Sequence, residues 1–148
     1  MDGKAIAVLA SAAVGGLVAM QSPVNSGLGK AVGSLPAASF SFAVGLIALV
    51  GITLVSGEGF GRLGEATSLP WYYLIGGLFG AVFVTTALIT VRTLGAGGVT
   101  AAVIAGQLGL SVVLDQLGVL GLAQRQITPA RLAGVALLAI GVVLIVRE

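Results

Sequence analysis

The sequence predicts an all-α integral membrane protein with five transmembrane helices, and three observations carry that prediction. Only 8% of the 148 residues are charged and 57% are hydrophobic, whereas about 25% of an ordinary globular chain is charged. Five stretches hold no charged side chain: Ala5 to Gly29, Ala31 to Gly57, Ala66 to Val91, Thr93 to Leu114 and Leu132 to Val146. About 20 apolar residues cross a bilayer, so the first four suffice; the fifth does once Pro129 to Arg131 are added, with Arg131 snorkelling. Proline and glycine mark most of the ends. The expected spans are 5–29, 36–57, 70–94, 98–121 and 129–147, in a single domain over residues 1–148.

Composition also narrows the chemistry. Cysteine and histidine are both absent, which removes the usual material for zinc sites, thiol nucleophiles and Ser/His/Asp constellations. The expectation is therefore no enzyme, no metal and no cofactor. Seven basic residues are scattered at helix ends without the patch that nucleic acid requires. Lys4 before an apolar run imitates a signal peptide, but four further spans follow, so the segment reads as a retained first helix.

In the first span Ser11, Gly15, Ser22, Asn25 and Gly29 fall on a narrow stripe at helical spacing, with Gln21 at its edge. Pro23 lies between Gln21 and Asn25, and its missing N–H should kink the helix and free carbonyls beside two amide side chains. Interrupted helices often mark transport sites. Two roles stay open for Gln21 and Asn25: lining a cavity, or bonding neighbouring helices. Lys30 to Leu35 read as a short polar turn, with Pro36 opening the second span. Ser39, Ser41 and Thr53 there are able to bond back to their own backbone.

Glu58 to Leu69 form the longest and most charged loop, and its glycines predict a flexible linker. Thr67 and Ser68 are expected to cap the third span before Pro70, and Trp71, Tyr72 and Tyr73 to anchor it at the interface. Phe79, Phe83, Thr86 and Thr90 then follow in steps of four, three and four, with Gly76, Gly80 and Ala87 on the adjacent face. Rings beside hydroxyls suit a partly apolar organic solute, and equally fill the gaps that glycine leaves.

The chain is organised around Thr85 to Gly118, an apolar span, a GAGG turn at Gly95 to Gly98 and a returning span. Arg92 lies just before the turn and can snorkel. Asp115 lies about 24 Å beyond Val99 along the returning helix, so the two charges sit towards opposite membrane faces. A carboxylate about two turns inside a span is costly unless paired, hydrated or protonated, and such residues usually face a bundle interior or a pathway. Thr100, Gln107, Ser111 and Gly118 share a face with Asp115 at its border, and so polar a face should be buried or wet. Gln124 to Gln126 make a short polar loop; Thr128 caps the last span and Pro129 begins it. That span, 129–147, has no polar side chain between Leu132 and Val146 and reads as scaffold or as a lipid- or dimer-facing wall.

Gln21, Pro23, Asn25 and Leu28, then Pro36 and Ser39, and above all Arg92, Gly95 to Gly98, Gln107, Asp115 and Gly118 carry a resemblance. The whole chain resembles one repeat of the drug/metabolite transporter superfamily, and specifically its small YdcZ-type branch. The resemblance implies a multi-pass bacterial inner-membrane protein that pairs with a second copy or a paralogue, akin to small multidrug resistance and EamA-type exporters. Small multidrug exporters use a first-helix glutamate to exchange protons for cations. Ala5 to Gly29 has no acidic residue, and Gln21 with Asn25 suggests a neutral or differently charged solute.

The leading expectation is a small-solute transporter, a metabolite or drug exporter working by alternating access. Its substrate-binding residues would be Gln21, Asn25, Phe79, Phe83, Thr86, Thr90, Gln107 and Ser111, with Arg92 and Asp115 as a charge pair or coupling site. The alternative is a structural or regulatory membrane subunit. Five spans place Lys4, Arg62, Arg125 and Arg131 on one face and Lys30, Arg92 and Arg147 on the other. Orientation follows the Lys/Arg excess, so this near balance predicts dual topology and an antiparallel homodimer, in which Asp115 of one copy could meet Arg92 of the other.

Overall fold

In the computed structural model, which describes residues 2–147, four helices are long and apolar enough to cross a membrane. They are α1 (Gly3–Val32), α2 (Ser34–Ser56), α3 (Gly76–Leu117) and α4 (Pro129–Val146). The described residues contain no strand. At 42 residues, α3 would measure about 63 Å if straight, twice the roughly 30 Å of a hydrocarbon core. Its helical geometry fails at one residue, Gly95, with φ 67° and ψ 170°, a backbone region essentially closed to any side chain. Where the sequence predicts a turn over Gly95 to Gly98, the break is Gly95 alone, and Ala96 to Gly98 already lie in helix.

The chain divides into two compact units, residues 1–92 and 93–148. In the first, α1 runs without interruption through Pro23, so the expected interrupted helix is a continuous one. The predicted polar turn over Lys30 to Leu35 shrinks to Gly33, which takes φ 93° and donates its N–H to Gly29 O at 3.0 Å. Glycine tolerates that φ at no steric cost, so α2 starts at once and Pro36 is its third residue, not its first. Asn25 meets Ser41, and Gly29 lies against Ala37. Both pairs straddle Gly33 symmetrically, which makes α1 and α2 an antiparallel hairpin.

Gly57, at φ 78°, stops α2 with the left-handed residue that helix C-termini favour. The expected flexible linker beyond it is ordered locally. Arg62 forms a two-pronged ion pair with Glu65, at 2.9 and 3.0 Å, across the start of a 3-10 turn at Leu63–Ser68. Thr67 and Ser68 donate back to Gly64 O and Glu65 O, so these hydroxyls close that turn instead of capping the third span. Trp71–Tyr73 make a second 3-10 turn with their rings against one another, and α3 begins only at Gly76. Ala38, Val84 and fully buried Leu88, with Phe83 alongside, lock α2 to the first stretch of α3. Small residues on α2 permit the close approach that association between membrane helices relies on.

In the second unit the rest of α3 pairs with α4. Gly98 lies against Val146 at one end, and Asp115 meets Arg131 at the other; the pairing is antiparallel. Between them residues 118–128 fold back on the end of α3. Gly118 (φ 60°) and Gly121 (φ 78°) bend the chain, Leu120 also holds a positive φ of 58°, and Gln116 pins the loop from both of its polar ends. Its backbone O accepts from Gln124 Nε2 at 2.9 Å, and its Oε1 accepts from Ile127 N–H at 2.6 Å. Thr128 accepts from Arg131 N–H and Pro129 takes the first turn of α4, as the sequence predicts.

Candidate functional site

Polar side chains in spans this apolar need partners or water, so the candidate residues sort by what they touch. On α1 the buried face comprises Ser22, Asn25, Ser26 and Gly29, spaced as one helical stripe. Asn25, only 6% exposed, donates from Nδ2 to Ser41 Oγ at 3.1 Å. The structure thus employs Asn25 between helices, and Ser41, a residue able to bond back to its own helix, accepts from α1. Gln21 is half-buried and has no hydrogen-bond partner among the described residues.

One turn further along, Arg92 reaches from α3 to the end of the α1–α2 hairpin. Its Nε donates to Ser26 Oγ at 3.1 Å and its Nη2, more loosely, to Ser34 Oγ at 3.4 Å. Gly29 makes room: a Cβ there would stand 2.9 Å from Nη2. Arg92 is therefore seated on α1, not free in the headgroup layer, although it stays exposed to solvent. The serines, Gly29 and Lys30 were missed as members of this site. Their signal was present in the sequence, since Ser26, Gly29 and Lys30 share one helix face at spacings of three and four.

On the first stretch of α3, Phe79 is exposed while Phe83 packs beside the Ala38, Val84 and Leu88 core. Thr90 bonds back to Thr86 O at 2.9 Å, an ordinary way for a hydroxyl to satisfy itself in a membrane helix. Thr86 is exposed and its hydroxyl has no partner among the described residues. Gln21, Asn25 and Arg92 thus belong to the first unit together with Phe79, Phe83, Thr86 and Thr90, whereas Gln107, Ser111 and Asp115 belong to the second.

In that second unit Gln107 and Ser111 are exposed and unpartnered among the described residues. Asp115 is engaged: its Oδ2 lies 3.1 Å from Arg131 Nη1, with both side chains about 30% exposed. The contact is short, but the N–H bonds do not point along it, so Nη1 is buried without a true hydrogen bond. It is a close charge pair of imperfect geometry. The backbone O of Asp115 also accepts from Arg125 N–H at 2.7 Å. With Asp115 held by Arg131 and Arg92 held by serines, the expected pairing of Asp115 with Arg92 of a second copy would have to displace these contacts. No group of residues able to hold a metal ion occurs among the described residues.

No curated protein and no solved structure matches the chain. One family model does, over residues 6–144, under the description "Putative inner membrane exporter, YdcZ". That span takes in all of α2 and α3 and nearly the whole of α1 and α4. The chain is a multi-pass inner-membrane protein and belongs to the YdcZ-type family of the drug/metabolite transporter superfamily.

Proposed function

We propose that the protein exports a small organic solute by alternating access, with two copies in opposite orientation enclosing a midplane pathway. The carrying observation is membership of a family described as inner-membrane exporters, over residues 6–144. The polar groups agree with it. Gln21, Thr86, Gln107 and Ser111 lie within membrane-length helices and have no side-chain hydrogen-bond partner among the described residues, so they need a wet pathway or a neighbouring copy to satisfy them. The reading takes α3 as two spans broken at Gly95, five spans in all, which makes the chain one half of an inverted-repeat transporter. No catalytic step and no cofactor enter it.

Substrate contacts fall to Gln21, Phe79, Phe83, Thr86, Gln107 and Ser111, while Asn25 is tied to Ser41. The test exploits the absence of native cysteine. Single cysteines at positions 21, 86, 107 and 111 should react with a small hydrophilic reagent in membranes, and an exported solute should slow that reaction. Uniform protection would favour the structural-subunit alternative, for which the Asn25 to Ser41 bond is the kind of contact expected.

A further inference from the structure

The hairpin end of the first unit carries positive charge that no carboxylate among that unit's described residues balances. Lys30 and Arg92, together with Pro23, Ser26, Gly27 and Val91, line an open cleft of about 390 Å³. No carboxylate of this unit lies near it. Asp2 precedes the far end of α1, about 42 Å from Lys30 along the helix, and Glu58 and Glu65 come after the far end of α2, whose axis runs about 33 Å from Ser34 to Ser56. Arg92 is also held in place, by Ser26 and Ser34 and by the bare backbone of Gly29. Those two bonds use two of the five N–H donors of a guanidinium, so three remain without a partner among the described residues.

We infer that this cleft binds a phosphate-type oxyanion carried on an apolar body. The fork of Arg92, oriented by Ser26 and Ser34, matches two phosphate oxygens, and Lys30 adds a mobile point charge to the same cleft. Pro23, Gly27 and Val91 supply apolar contact for the attached group. Two sources present that chemistry at a membrane border: an anionic lipid headgroup, for which basic pockets between helices are suited, and a soluble organic phosphate. The site does not depend on the transport reading, and its test reads binding and not flux, so either can fail alone.

The experiment uses the purified full chain in nanodiscs, as wild type, Lys30→Gln and Arg92→Gln. Lys30 is exposed and makes no side-chain hydrogen bond among the described residues, so Lys30→Gln leaves the fold intact even if Arg92→Gln disturbs it. In phosphatidylcholine discs, phenyl phosphate should raise the unfolding temperature in a saturable way, and each substitution should weaken its apparent affinity about fivefold or more. In discs mixing phosphatidylglycerol with phosphatidylcholine, mass spectrometry of the released complex should show phosphatidylglycerol enriched on the wild type and not on the variants. A response in the first arm alone assigns a soluble phosphate, in the second alone a lipid headgroup, and in both a site open to either. Absence of both responses, or responses unchanged in Lys30→Gln, overturns the site.

Discussion

Arg92 lies over Gly29 so closely that a Cβ at position 29 would stand 2.9 Å from its Nη2, while Leu88 Cδ1 and Ala37 Cβ would stay at 3.5 and 3.6 Å. The crowded atom is the far end of a flexible side chain and the other two are ordinary contacts. In Gly29→Ala the guanidinium should therefore move and the helices should not. Ser26 loses a charged donor but can bond back to its own helix, so the expected loss is about 1 kcal/mol. Gly27→Ala, with nothing within 4 Å of the added Cβ, should be neutral. Unfolding in detergent measures both, and a loss beyond about 3 kcal/mol at position 29 would mean that helix packing itself demands glycine there.

Asp115→Asn should cost more than Glu65→Gln. The Asp115 to Arg131 pair is about 70% buried on both sides, whereas Arg62 and Glu65 are 88% and 65% exposed. Removing Asp115 leaves the buried Arg131 Nη1 facing no charge, at about 1–3 kcal/mol. Removing Glu65 gives up a screened surface pair worth about 0.5 kcal/mol or less. Arg131→Gln should resemble Asp115→Asn, and the double variant should cost less than the two singles added together, because each single has already broken the same pair. Equal tolerance of Asp115→Asn and Glu65→Gln in thermal unfolding would show that water, not Arg131, satisfies the aspartate.

The bond from Asn25 to Ser41 predicts a different cycle. Ser41→Ala leaves a buried amide without its acceptor and should lower stability by about 0.5–2 kcal/mol. Asn25→Leu combined with Ser41→Ala removes both polar groups and should recover much of that loss. If Ser41→Ala instead leaves stability unchanged while altering solute binding, Asn25 faces the pathway in the working protein.

The all-helical membrane character was legible because membrane helices announce themselves by composition, but the five long charge-free runs became four helices, the fourth run and most of the third falling within the single α3. Boundaries read less well, and the reason is local. Gly33 can reverse a chain alone at φ 93°, so no polar turn was needed between α1 and α2. Thr67 and Ser68 had their own 3-10 turn to close, which removed them as caps. Pairing across helices was the least legible layer. Periodicity puts Asn25 and Arg92 on faces, but only packing decides that the first finds Ser41 and the second Ser26. The sequence marks Asp115 as needing a partner but shows Arg131 only as a snorkelling end-of-helix residue; the fold-back of residues 118–128 onto Gln116 is what carries it to the carboxylate.

Topology offers the last test. On a five-span reading, Lys4, Arg62, Arg125 and Arg131 face one side and Lys30, Arg92 and Arg147 the other. Orientation follows the count of Lys and Arg and not the net charge, and four against three is nearly no excess, so neither orientation is clearly preferred. Both orientations should therefore coexist in one cell, as an antiparallel dimer requires. A reporter cysteine belongs in the loop after α2, at Gly61 and not at Gly59. Gly59 holds φ 64°, which a side chain resists, whereas Gly61 has open space and no such constraint. Labelling of Gly61→Cys in intact cells by an impermeant reagent should reach roughly half of the label taken up after permeabilisation. Adding two lysines beside Arg62 should then push the population towards one orientation and lower the yield of dimer. Labelling that is complete or absent in the unaltered background would establish a single orientation, and the antiparallel homodimer would have to give way to a partner of fixed opposite orientation.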